Sequence, residues 1–241
     1  MIKLKEKFKE LGFDENKVSK EEGYFYDWLL ELKDKGYIHS IEIQPKYNLT
    51  QPIYLPFTRL KKIKNKAGEE KEKESVVAYS IMQGMHYTPD FNVYWNLKAL
   101  DVFAFVEHST VTTNFHESRL TKFYGELTAI EEEQVIHTCI EIKGTFASRQ
   151  NSTAIKFPLL QKLLYNKYKV YVNKCMPLAK KKGLFCKTFT PKSYWLTEKS
   201  KKERKFKWTK LSVTQYLNLF INLKNKTNDE NTSNKRTSSI I

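Results

Sequence analysis

A chain of 241 residues with 40% apolar and 14% aromatic side chains is long enough to bury a substantial core around one medium domain. That composition excludes a mostly disordered chain, and no run approaches the ~18 uncharged apolar residues of a membrane span; even Leu100–Val106 is interrupted by Asp101. The charge balance, 42 Lys+Arg against 27 Asp+Glu for a net +15, is the loudest compositional signal. Between Lys156 and Lys210 there are 17 basic residues and two acids, Glu198 and Glu203, so this segment carries the whole net charge. Such clustering is the electrostatic footprint of a polyanion-binding face. A lysine-biased composition is the competing explanation, with 37 Lys to 5 Arg, but bias alone would not empty the segment of acids. The start, MIKLKEKFKELGF, lacks the apolar run of a signal peptide and reads as intracellular. Three cysteines, Cys139, Cys175 and Cys186, are too few and too scattered for a disulfide framework or a CxxC metal site.

In chain order, residues 1–18 read as a short amphipathic lead-in with a turn at Gly12. Ser19-Lys-Glu-Glu22 is a capping box that opens a helix; Phe25, Trp28, Leu29 and Leu32 recur at helical spacing, and Gly36 closes it. The stretch from His39 to Leu49, with Ile41 and Ile43 alternating against polar neighbours, predicts a strand. Arg59 to Ser75 carries both signs of charge and reads as a solvated loop or hairpin tip. A second strand pair is expected across Val76–Met82 and Tyr87–Trp95, and 96–134 reads as an insertion. Gln134–Gly144 predicts a strong strand, Phe157–Tyr168 a helix with Pro158 in its first turn, and Lys169–Asn173 a short strand. Beyond 175, strand-like pieces are expected at Ser193–Leu196 and Phe206–Trp208 and a helix at Val213–Leu223. The polar composition from 224 to 241 predicts a disordered tail.

Three side chains stand out chemically. Glu141 and Lys143 lie two apart on a strand, so both point to one face, opposite Ile140 and Ile142. Asp90 follows Pro89 beside another strand. A carboxylate and an ammonium on a sheet face are costly unless paired or functional; by spacing alone, a surface ion pair is the simpler account. Carboxylates can also hold Mg²⁺, with water and substrate phosphate completing its shell. A neighbouring lysine can then orient the attacking water and neutralise charge developing on phosphorus.

Pro89-Asp90 followed by Glu141-Ile142-Lys143 resembles the PD-(D/E)xK nuclease superfamily. The order of elements read above, helix, three strands, helix, strand, matches that superfamily's αβββαβ core. Ser19–Gly36 running into Ile41-Glu-Ile-Gln-Pro45 is further similar to phage-encoded members, among them relatives of the endonuclease I type of Holliday-junction resolvase. The resemblance implies an α/β, restriction-endonuclease-like fold with a mixed central sheet over 19–175, interrupted at 96–134 and followed by a basic C-terminal extension at 176–223. It implies Asp90 and Glu141 as metal ligands for Mg²⁺ (Mn²⁺ as a substitute), Lys143 as the water-assisting group and a helix glutamate, Glu22, completing the site. Glu21 is a rival, because Glu21, Phe25, Trp28 and Leu32 form the cleaner helical stripe. Gln161 and Tyr165 match the QxxxY motif of RecB-like members, whose role would be substrate contact, with Lys156 and Lys162 beside them on the helix.

The remaining candidates carry less. The five histidines, His39, His86, His108, His116 and His137, show no paired metal spacing. With 8 glycines there is no phosphate-cradling loop. Cys139 reads as packed, and Tyr194, Trp195, Phe206 and Trp208 suit either base stacking or packing. The expected activity is Mg²⁺-dependent hydrolysis of DNA phosphodiesters, with branched DNA among the substrates the resemblance implies. DNA is the expected partner, a membrane is not, and a homodimer stays open. The alternatives are a non-catalytic nucleic-acid-binding protein of the same fold and a nuclease acting on RNA. Richness in lysine, asparagine and isoleucine suits an AT-rich genome such as a phage's, and hence a cytoplasmic setting in a bacterial host.

Overall fold

A computed structural model of the chain describes residues 2–64, 70–107, 121–144, 152–179 and 183–221. The expected C-terminal tail lies outside the described residues, as does the end of the helix expected at Val213–Leu223, which is described over 213–221. None of the described helices is long and apolar enough to cross a membrane.

Helix α1 (Ile2–Glu10) ends before Gly12, whose φ of +76° is open to glycine without strain. Helix α2 (Lys20–Asp34) begins as its sequence dictates, since the Ser19 and Glu22 side chains reciprocally satisfy each other's backbone N–H groups. It ends in a Schellman motif: the Gly36 N–H bonds Lys33 O, the Tyr37 N–H bonds Leu32 O, and Gly36 takes φ +70°. Strand β1 (Ile38–Ile43) follows, then β2 (Tyr47–Thr50), β3 (Ile53–Lys64), β4 (Glu70–Met82), β5 (Met85–Tyr87) and β6 (Phe91–Asn96). Short strands β7 (Ala104–Phe105) and β8 (Phe123–Tyr124) pair with each other, and β9 (Glu126–Ile130) leads into the long β10 (Glu133–Ile142). Helix α3 (Ser152–Tyr168), strand β11 (Val172–Cys175), the single turn α4 (Leu184–Lys187) and α5 (213–221) complete the chain.

The fold is mixed α/β around a five-stranded, mostly antiparallel sheet. Its order is β1-β6-β10-β11: β1, β6 and β10 are antiparallel neighbours, and β11 lies parallel to β10. A parallel neighbour requires a crossover, and α3 supplies it. Strand β9 shares that edge of β10, pairing with Glu133–His137 while β11 pairs with Cys139–Ile142. One sheet face buries Phe91, Val93, Trp95, Ile136 and Ile140 against Phe25, Trp28 and Leu32 of α2. The other packs Cys139 and Val172 against Leu164 of α3 and against Leu49 and Tyr87 of the small β2–β5 pair.

Four expectations need correction. Residues 76–82 do not pair with 87–95; β4 pairs with β3 along twelve cross-strand positions, so 59–64 and 70–75 are paired strands of a two-stranded ribbon, and 65–69 lie outside the described residues. Helix α3 starts at Ser152, leaving Pro158 inside it rather than in its first turn. The strand expected from Lys169 starts at Val172, because Lys169 takes φ +60° to reverse the chain after α3. Residues 206–208 form no strand, and 193–196 contributes only a 3₁₀ turn (Lys192–Tyr194) and one bridge, Leu196 to Glu203. The basic extension beyond 175 packs onto the core. Leu184, Phe185, Phe189, Val213 and Leu217 belong to the α2-side core, where Phe189 stacks on Trp28 with centroids 5.2 Å apart.

Candidate active site

Alternation along two strands assembles the site. On β6, Phe91, Val93 and Trp95 enter the α2-side core, which turns Asn92 and the preceding Asp90 to the opposite face. On β10, Ile136, Ile140 and Ile142 take the α2 side, so Cys139 and Glu141 face α3. Asp90 and Glu141 therefore share a face at the end of the sheet. The β6–β10 ladder runs out at Phe91–Ile140, and the Asp90 side chain continues it: Oδ2 accepts the Ile142 N–H at 2.6 Å.

Glu141 is buried and held at both oxygens. Oε2 accepts the Tyr87 hydroxyl at 2.9 Å, and Oε1 forms an ion pair with the Lys143 ammonium. The side chains of Lys143 and Glu141 are only 17% and 12% exposed, so each would be a poorly solvated charge without the other. Lys143 also lies 5.9 Å from the Phe157 ring centroid on α3, and its backbone N–H bonds Cys175 O at 2.8 Å, extending the parallel ladder. Burial, together with the neighbouring Glu141, drives the Tyr87 phenol far above its ordinary range, so it acts as a fixed donor.

Electrostatics separate the two helix glutamates. Burial raises the Glu22 carboxyl, its Ser19 hydrogen bonds oppose that, and it feels Glu141 and Lys143 as near charges. Asp90 is pushed well above the usual carboxylate range by burial and then by Glu141 and Glu22, against the pull of the Ile142 N–H and Lys143. Glu21 instead reaches toward Gly144, 3.4 Å from where a Cβ there would sit, and acts on Tyr194. Glu22 thus joins the carboxylate cluster electrostatically, while doubling as the capping-box acid.

Against models of protein families the chain matches none, and comparisons with curated proteins and with solved structures return no match. The site therefore stands on its own geometry.

The other expected residues are engaged elsewhere or exposed. Gln161 donates from Nε2 to Val172 O at 2.5 Å, pinning α3 to β11 instead of offering that amide to a substrate. Tyr165 is exposed and lies about 12 Å along α3 from Phe157 at 1.5 Å per residue. It lines a cleft of about 480 Å³ with Tyr124, Tyr171, Asn173 and Lys174. Lys156 and Lys162 are exposed on α3. His86 is exposed, and His137 stacks on Tyr94 at 4.9 Å. Tyr194, Trp195, Phe206 and Trp208 are half-buried and pack against one another or the core; Arg204 lies 4.4 Å from the Tyr194 ring and Lys210 4.3 Å from that of Trp195. Tyr87 is the residue that sequence reasoning passed over. It stands three before Asp90, but nothing in the spacing says its hydroxyl reaches a carboxylate 54 residues on.

Among the described residues no three His, Cys, Asp or Glu side chains close into a ready metal cage. The donor set still suits Mg²⁺, which is commonly bound by one or two carboxylates and otherwise by water and phosphate oxygens. Asp90 and Glu141 could supply that pair, and the negative charge of Glu141 and Glu22, which adds to burial in raising Asp90, is what a divalent cation would relieve.

Proposed function

We propose that the protein is a Mg²⁺-dependent endodeoxyribonuclease of the PD-(D/E)xK type, with DNA as its partner in the cytoplasm. The observation that carries this reading is the convergence of Asp90, Glu141 and Lys143 on one face at the end of the sheet, with Glu22 in electrostatic contact. The succession of α2, antiparallel β1, β6 and β10, then α3 and parallel β11 agrees with the superfamily core and supports it.

In this reading Asp90 and Glu141 hold the metal, which when bound supplies Lewis-acid polarisation of the phosphate and a more acidic water. Asp90 is oriented by the Ile142 N–H and Glu141 by Tyr87. The Lys143 ammonium, fixed by its carboxylate partner and the Phe157 ring, is placed to orient water and balance charge on the phosphorane. The test is cleavage of plasmid, linear duplex and four-way-junction DNA with Mg²⁺ or Mn²⁺, with Asp90→Asn as control. Metal-dependent cleavage by the wild type, lost in the variant, is expected. Equal cleavage by both would expose a contaminant, and none by the wild type on any DNA or RNA would leave the second reading. That reading, a non-catalytic nucleic-acid-binding protein, draws on the segment from Lys156 to Lys210 with its 17 basic residues against two acids.

A further inference from the structure

The ribbon formed by β3 and β4 projects from the β2–β5 pair, whose Tyr87 touches Glu141. Twelve cross-strand pairs at about 3.4 Å per residue make it roughly 40 Å long. Among the described residues it belongs to no larger sheet, and its large apolar side chains are exposed: Phe57 57%, Tyr79 65% and Val76 73%. An isolated two-stranded ribbon is marginal in water, so such surface calls for a partner.

The register sorts the ribbon's charges by face. Directly opposed residues, and residues two apart along a strand, share a face. Leu55–Tyr79, Phe57–Val77, Arg59–Ser75 and Lys61–Lys73 therefore lie on one face. Thr58–Val76, Leu60–Glu74 and Lys62–Glu72 lie on the other. In sequence this stretch mixes both signs; in register the first face carries Arg59, Lys61 and Lys73 without a carboxylate among its described residues. Glu72 and Glu74 are confined to the second, with Lys62 and Lys64. Two like charges directly opposed, Lys61 and Lys73, are destabilising by themselves. Next to the cations, Phe57 and Tyr79 sit diagonally with centroids 6.5 Å apart.

We propose that this cationic–aromatic face of the ribbon is a clamp that lies along a nucleic-acid duplex, presenting Arg59, Lys61 and Lys73 to phosphates beside Phe57 and Tyr79. A two-stranded ribbon fits the roughly 12 Å width of a major groove. A second copy fits less well, because a two-fold contact through this face would bury cations without counter-charge. The clamp rests on the reading that the site acts on nucleic acid, and gives that site a substrate-holding surface beyond the lysine-rich segment at 156–210.

The test measures affinity for a 30-base-pair duplex at several salt concentrations, with EDTA present so that nothing is cut. Lys61→Gln/Lys73→Gln is compared with Lys62→Gln/Lys64→Gln, which removes the same charge from the opposite face. The first pair should flatten the log–log salt slope by about 2, at about 0.9 per phosphate contact, and weaken binding roughly tenfold or more at low salt. The second should change neither beyond about twofold, and Tyr79→Ala should weaken binding with the slope unchanged. Equal effects of both pairs, or none from either, overturn the clamp. So does a dimer by sedimentation that Tyr79→Ala dissociates while duplex affinity stays the same. Cleavage in Mg²⁺ by wild type and Asp90→Asn is scored separately. Face-specific binding loss without cleavage keeps the clamp and removes the nuclease; cleavage without any face effect does the reverse.

Discussion

Lys143 and Glu141 share a poorly solvated ion pair, which makes the lysine's contribution separable from general charge. Lys143→Ala should lower the single-turnover cleavage rate by about 2–4 kcal/mol, roughly 30- to 1,000-fold, as for other transition-state donors. Duplex affinity should stay within a few-fold, because one phosphate contact among many adds little. The same assay distinguishes the helix acids: Glu22→Gln should slow cleavage more than Glu21→Gln, since Glu22 lies in the field of Asp90 and Glu141. His137 offers a residue-scale pH effect away from the site. Burial lowers its imidazole below the ordinary value of about 6.5, with Glu42 pulling the other way, and Nε2 is buried without a hydrogen-bond partner among the described residues. The folded state then binds fewer protons than the unfolded one, so this contribution is present above about pH 6.5 and is lost as pH falls through the window down to the depressed folded value. His137→Phe, which keeps the stack on Tyr94, should shrink the fall in urea midpoint between pH 7.5 and 5.5. An unchanged fall would assign the acid sensitivity elsewhere.

Elements here are held by local devices that can be removed singly. Ser19→Ala deletes the reciprocal cap of α2 and should cost about 1 kcal/mol, seen as a lower urea midpoint with an unchanged m-value. It also frees Glu22 from its tether, so a cleavage defect larger than the stability loss would show that the cap positions the acid. Gly125 links β8 to β9, and a Cβ there would sit 2.4 Å from His137 O and 2.7 Å from the Thr138 side chain. Strand backbone cannot yield as a lysine tip can, so Gly125→Ala should destabilise by about 3 kcal/mol or more in thermal unfolding.

Across the whole molecule, the lysine-rich C-terminal segment does two jobs. It supplies positive charge, and it roofs α2 with Leu184, Phe185 and Phe189 while Tyr194 packs edge-on against Tyr24 at 4.7 Å. Phe189→Ala should cost about 3–5 kcal/mol. Deleting residues 176–241 should yield insoluble or protease-sensitive protein rather than a folded core with weaker DNA binding. A folded, soluble 1–175 fragment by circular dichroism and limited proteolysis would show instead that the extension is independent of the core.

By itself the sequence determined whatever depends on near neighbours. The Ser19–Glu22 cap, the Gly36 stop and the facing of Glu141 with Lys143 follow from hydrogen bonds and alternation over four residues or fewer, and the central strand at 133–142 from its apolar run. Tertiary structure alone decided what depends on distant register. That Glu22 feels the charges of Glu141 and Lys143 depends on the rotation of α2 over the sheet, and Tyr87 reached Glu141 only because β5 packs across 54 residues of chain. The ribbon is the clearest case. From Arg59 to Ser75 charges of both signs average out along the chain, and only pairing β3 with β4 in one register sends Arg59, Lys61 and Lys73 to one face and Glu72 and Glu74, with Lys62 and Lys64, to the other. A slip of one residue would bring Glu72 and Glu74 onto the face of Arg59 and Lys61, so the property resides in hydrogen-bonded register and not in composition.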